Sequence, residues 1–138
     1  MSKVTRFGIS IDEKLLRKFD AFIRKRKYSN RSEAIRDLIR RNFVEEEWEK
    51  GKEVVGSISL VYDHHKRELV ERLTELQHIF HNLIISTQHI HLDYNNCFEI
   101  IVVKGRAEET RELAQKMQAT KGVKYLSLNA STTGKEIL

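Results

Sequence analysis

Residues Arg6–Ile11 alternate polar and apolar side chains, the period-two pattern of a strand with one dry face. Phe7, Ile9 and Ile11 point inward on this reading, and Arg6, Gly8 and Ser10 point outward. The period then changes. Leu15, Leu16, Phe19, Phe22 and Ile23 recur at helical spacing, which predicts a helix from a cap at Asp12 to about Lys27. Its cationic end, Arg24–Lys27, suits the negative pole of the helix. After the turn Tyr28-Ser29-Asn30, Asn30 followed by Glu33 predicts a capped start to a second helix through Ala34, Ile35, Leu38, Ile39 and Phe43. One six-residue strand with two helices has unpaired edges and too small a core. The pattern therefore calls for two chains that pair their strands in an antiparallel ribbon over four helices, an obligate dimer.

Glu45–Val55 is acidic, then carries Gly51, and reads as a helix end and linker. Beyond it the periodicity predicts a strand at about Val55–Asp63, a helix at Lys66–Ser86 and a strand at Gln88–Asp93. The turn Tyr94-Asn95-Asn96 leads to a strand at Cys97–Lys104, a helix at Ala107–Ala119 and a strand at Val123–Asn129. That β-α-β-β-α-β order is the ferredoxin-like plan. The expected fold class is α+β: a dimeric β-α-α module at 1–48, a linker at 49–54, and a ferredoxin-like domain at 55–138. The tail Ser131–Leu138 carries no readable pattern.

Charge separates the same two parts. The chain has 138 residues and a net charge of +5. Residues 1–50 hold 14 Lys/Arg against 9 Asp/Glu, whereas residues 51–138 hold 11 against 11, so the excess lies in the first part. Such a basic surface attracts polyanions, with nucleic acid ahead of acidic membrane. No stretch is apolar for long enough to span a bilayer and none resembles a signal peptide, so a cytoplasmic protein is expected. The single cysteine, Cys97, excludes an intrachain disulfide and leaves a thiol for metal or redox work.

All six histidines (His64, His65, His78, His81, His89 and His91) and Cys97 fall between residues 64 and 97. On the second-domain helix Leu69, Leu73, Leu76, Phe80 and Leu83 form one stripe, and His78 lies on the far side from it, beside His81. In the strand 88–93, His89 and His91 share one face, while Ile90 and Leu92 take the other. If Ile90 and Leu92 pack beneath the helices, the two histidines look out from the uncovered side of the sheet. Cys97, after the turn, reaches the same region, with Ile101 and Val103 in phase with it. That uncovered apolar face then calls for another subunit. His78 would stand on the opposite side and could join the other donors only from a different chain. Three imidazoles and a thiolate suit Ni(II) or Cu(II) in a square plane, or Zn(II) as a tetrahedron.

These residues resemble the NikR family of nickel-responsive transcriptional regulators. Arg6–Ile11 followed by Tyr28-Ser29-Asn30-Arg31-Ser32-Glu33-Ala34-Ile35-Arg36-Asp37 is similar to ribbon-helix-helix repressors. Gln77-His78, His89-Ile90-His91, Cys97-Phe98-Glu99-Ile100 and Val103-Lys104-Gly105 are similar to the family's metal domain. The resemblance implies an ACT-type metal domain and a homotetramer, built as a dimer of dimers. It implies one square-planar Ni(II) per subunit, held by His89, His91 and Cys97 of one chain and His78 of another. It further implies a palindromic DNA operator, repression of nickel uptake with nickel as corepressor, and neither a membrane nor a small-molecule substrate.

For DNA, Arg6 is the expected base reader and Ser10 a weaker one. The family carries a small hydroxyl residue at the middle outward position, where this chain has Gly8, so the operator sequence should differ. Asn30, Arg31 and Ser32 begin a helix whose backbone N–H groups suit phosphate. Glu33 and Asp37, four apart on one helix face, repel unless solvated or bridged. The resemblance puts a second, weaker cation there, against the plain alternative of two exposed carboxylates. Gln77 and Glu99 are candidates to orient the ligands, whereas His64, His65 and His81 match no ligand and read as surface or interface residues. Trp48 reads as packing. The alternative function is a sensor or buffer for copper or zinc on the same scaffold. A metallohydrolase would need an open coordination position and a nearby base, and four protein ligands leave none.

Overall fold

Asp12 starts the first helix by accepting the backbone N–H groups of Lys14 (2.9 Å) and Leu15 (3.2 Å) on one carboxylate oxygen. Helix α1, Glu13–Arg26, ends at Lys27, which is left-handed at φ 60°. The N–H of Lys27 bonds to the Arg24 carbonyl, and that of Tyr28 to the Ile23 carbonyl. Asn30 Oδ1 accepts the N–H of Glu33 at 2.9 Å at the start of α2, Arg31–Glu49. Both caps stand where the sequence put them.

The computed structural model describes residues 3–138 and divides into two units, 1–40 and 41–138. In the first, Ile23 and Ala34 are buried and Arg31 holds Asp20 through two hydrogen bonds of 2.9 Å. The expected strand Arg6–Ile11 is not formed: residues 3–12 have no regular structure. Phe7 is 72% exposed and Ile9 61%. A strand needs another strand for its N–H and C=O groups, and among the described residues this unit offers none.

The second unit runs β1 Glu53–Tyr62, α3 Arg67–Ile79, β2 Ile84–Asp93, β3 Asn96–Arg106, α4 Ala107–Gln118 and β4 Val123–Ala130. The four strands form one sheet in the order β2-β3-β1-β4, with every neighbouring pair antiparallel. Helix α2 runs to Glu49 and β1 begins at Glu53, so the connection is shorter than the acidic stretch suggested. Trp48 packs on Val54 and Ala107, and its Nε1 donates to the Ser131 carbonyl at 2.7 Å. The tail beyond β4 is anchored by that contact.

Helix α3 stops at Ile79, seven residues before the expected end, because the chain turns at 80–83 to enter β2. Leu83 stays buried, and its carbonyl accepts the N–H of Lys104 at 2.8 Å. The leucine stripe continued past the helix because a turn and a strand can bury the same side chain.

The main core lies between the sheet and helices α3 and α4. Ile58, Leu60 and Tyr62 of β1 meet Cys97, Ile101 and Val103 of β3, with Leu69, Leu73 and Leu76 of α3 and Leu113 and Met117 of α4 above them. This inverts the expected faces. Cys97, Ile101 and Val103 lie under the helices, and Ile90 and Leu92 lie exposed. Two central strands with matched apolar phase determine the buried side. The edge strand β2 pairs with β3 and is exposed along nearly its whole length, so its own alternation carried little weight.

Candidate metal centre

The register of the β2–β3 hairpin puts His91 opposite Cys97 and His89 opposite Glu99. Directly opposed residues share a face, so all four side chains stand on the helix-bearing side, at the edge that β2 forms. Cys97 and Glu99 are buried, and His89 and His91 are exposed. Asp93 tightens the turn by accepting the N–H of Asn95 at 2.8 Å and both of its oxygens meet Nδ2 of Asn96 at 2.9 Å. These hydrogen bonds, with that of Asn95 first after Asn96's, hold the Asp93 carboxyl below its usual range.

Glu99 organises the group. Its Oε1 accepts from Gln77 Nε2 at 2.8 Å, and its Oε2 accepts from the Tyr62 hydroxyl at 3.2 Å. The same Oε2 lies 2.9 Å from His89 Nε2. With Nε2–H donated to the carboxylate, His89 turns Nδ1 toward Cys97 Sγ, 3.9 Å away, and the Tyr62 hydroxyl, 3.4 Å away. A carboxylate that fixes the tautomer of a histidine is the usual partner of a metal-binding imidazole. Burial first, then the neighbouring Glu99 carboxylate and Cys97 sulfur, push the Tyr62 phenol well above its ordinary pKa, so it remains a donor.

His78 stands apart. It lies exposed in the last turn of α3, its ring centroid 6.1 Å from that of His81, whose Nδ1 lies 2.9 Å from the His78 carbonyl. Helix α3 covers the same face that carries His89 and His91, so the expected opposite-sided arrangement is not found. Among the described residues His89, His91 and Cys97 do not themselves close into a group of three donors, and His78 does not join them.

Arg6, Gly8 and Ser10 are exposed in the irregular segment, and Asn30, Arg31 and Ser32 are exposed at the start of α2. Asn30 spends its side-chain oxygen on the cap and Arg31 its guanidinium on Asp20. Glu33 pairs with Arg36, and Asp37 accepts from the Tyr28 hydroxyl, so each carboxylate already has a partner. Tyr62 was missed by sequence reasoning. Its signal is its phase with Ile58 and Leu60, but only the pairing Tyr62↔Cys97 reveals which donors it meets.

Two family models cover nearly all of this architecture. The model for the NikR C-terminal nickel-binding domain matches residues 55–131, and that for ribbon-helix-helix proteins of the copG family matches residues 5–46. The chain belongs to the NikR family. It is 53% identical to a provisionally named nickel-responsive regulator of Desulfotalea psychrophila, over 96% of this chain and 97% of the relative. Similarly named regulators of Nitratidesulfovibrio vulgaris strain DP4 and Geobacter sulfurreducens are 50% and 52% identical, each over 99% of both chains. An uncharacterised Thermotoga maritima protein of known structure shares the fold over 57% of this chain and 98% of its own, with a TM-score of 0.53 and 16% identity. NikR proteins are regulators of transcription that bind DNA, not enzymes. Among the described residues no helix is long and apolar enough to cross a membrane.

Proposed function

We propose that this NikR chain represses transcription with Ni(II) as corepressor, one ion per subunit, and that His89, His91 and Cys97 hold the ion with His78 of another subunit. The observation that carries this reading is the cross-strand cluster, in which Glu99 orients His89 so that Nδ1 faces the Cys97 sulfur. The donor set fits the ion: a thiolate and imidazoles suit Ni(II) in a square plane. When bound, nickel would cross-link the β2–β3 hairpin of one chain to helix α3 of another. His78 is exposed, and the edge formed by β2 is open, so a donor from a neighbouring chain has access. Gln77 and Glu99 would act by holding His89 in place.

Exposed apolar surface supports an assembly of several chains. Phe7, Ile9, Ile11, Leu15, Leu38 and Ile39 of the first unit are all exposed, and an intermolecular ribbon of two 6–11 segments would bury such side chains and pair their backbones. Arg6 and Ser10 would then read the major groove of a palindromic operator, with Gly8 between them facing it through its backbone alone, while the 30–32 backbone takes phosphate. In the second unit Ile90, Leu92 and Tyr125 are exposed on the sheet face away from the helices, which suits ACT-type domains joining two dimers into a tetramer. We place the functional division at 1–48, 49–54 and 55–138. A second cation between Glu33 and Asp37 would have to displace the partners that both carboxylates hold. DNA binding beside soluble assembly matches a cytoplasmic protein.

The deciding experiment is a gel shift on operator DNA with and without Ni(II), together with an absorption spectrum. Tighter binding and a thiolate-to-nickel band that vanishes in Cys97→Ala are expected. Equal DNA affinity with and without nickel would remove the corepressor role.

A further inference from the structure

The pairing of β1 with β4 breaks at one place. Leu60 faces Leu126 and Val61 faces Tyr125, but Tyr62 faces Val123, so Lys124 is the extra residue of a bulge. Without that shift, the alternation that puts Leu126 and Leu128 against the core would set Lys124 opposite the buried Tyr62. A lysine there would have to give up its water. The bulge hands the place to Val123, which packs on the core, and leaves Lys124 exposed.

The freed side chain has a definite destination. Lys124 Nζ donates to Oδ1 of Asn96, the first residue of β3, although β1 lies between β3 and β4. It therefore crosses the end of β1, where Tyr62 is paired with Cys97. Asn96 gives its Nδ2 to Asp93, whose Oδ1 also takes the N–H of Asn95. Lys124, Asn96 and Asp93 thus form one chain of hydrogen bonds from β4 to the tip of the β2–β3 hairpin. The Lys124 charge also reaches Asp63 and Asp93, a smaller influence on each carboxyl than the hydrogen bonds from His65 and Asn96.

Two of the proposed nickel donors, His91 and Cys97, stand opposite each other at the base of this turn. Strand β2 is the edge of the sheet, so their spacing depends on how firmly the turn is held from the other side. We infer that Lys124 is a positioning residue for the metal centre: it holds Asn96, and through it the turn that sets His91 against Cys97. The inference rests on the nickel site proposed above. Lys124 would act through Asn96 and Asp93 and not on the ion itself.

The test compares Lys124→Met, which keeps the aliphatic stem and removes the donor, with Lys124→Arg, which keeps both charge and donors. Lys121→Met removes a charge at another exposed position and serves as the control. In Lys124→Met, nickel affinity read by chelator competition should fall about tenfold. Amide hydrogen exchange at Asn95 in the metal-free chain should rise. Lys124→Arg should restore both, Lys121→Met should match wild type in both, and the urea midpoint should hold in all three. Either change in Lys124→Met without the other would overturn the proposal, since exchange alone makes Lys124 a brace for the turn only and affinity alone makes it a matter of charge. An equal loss in Lys121→Met would do the same. If wild type lacks the thiolate-to-nickel band, it is the nickel reading that fails, and exchange at Asn95 alone then decides whether Lys124 holds the tip.

Discussion

His89 Nε2 lies 2.9 Å from Glu99 Oε2, and that contact determines which nitrogen of the ring faces the Cys97 sulfur. Glu99 is almost fully buried and receives two more hydrogen bonds, from Gln77 and Tyr62. Glu99→Gln keeps the shape but removes the charge and exchanges an acceptor for a donor. Nickel affinity should fall by about 10- to 100-fold, with the thiolate-to-nickel band retained at saturating metal. A competition titration with a chelator measures it. Unchanged affinity would mean that Glu99 serves only the core.

Much of this was legible before the structure. Asp12 and Asn30 announced their caps because an oxygen two or three residues ahead of orphan N–H groups is local chemistry. The hairpin that gathers His89, His91 and Cys97 was readable from the turn and the alternation. The sheet faces were not. Ile90 and Leu92 sit on an edge strand, and the buried side was decided by Ile101 and Val103 on the next strand and Ile58 and Leu60 on the one beyond it. Nor could the sequence show that α3 ends at Ile79, since Leu83 is equally buried from a turn. The segment 6–11 has a strand's pattern, yet a strand is a property of a pair.

Gly56 sits in β1 against Trp48. A Cβ there would lie 3.1 Å from the Asn129 carbonyl oxygen and 3.2 Å from the Trp48 ring. The first is backbone in the paired strand β4, and the second is a ring already fixed by its bond to Ser131. Neither yields easily. Gly56→Ala should therefore destabilise the second unit by about 1–3 kcal/mol through overpacking, seen as a lower urea midpoint. A midpoint at or above wild type would show that Trp48 can move.

Arg6 is exposed and lies in the segment proposed to enter the major groove. Arg6→Ala should remove about 1–3 kcal/mol of discrimination between operator and random DNA, because a guanidinium bidentate to guanine is lost. Both affinities should still fall with salt. Measuring operator and random duplexes in parallel separates the roles: an equal loss on both would make Arg6 a phosphate contact.

Asp20 supplies the pH dependence of the first unit. The paired hydrogen bonds from Arg31 hold its carboxyl below the usual value of 3.8. The sign follows from linkage. A carboxylate whose folded pKa is lowered stabilises the fold above its unfolded pKa, and that contribution disappears as pH falls through the lower folded value. The pair is solvent-accessible, so the effect should be small and salt-sensitive. Wild type and Asp20→Asn should therefore differ in urea midpoint at pH 7 and converge well below pH 3.8. A gap that persisted in strong acid would assign the contribution to the shape of the side chain, since its charge is gone there.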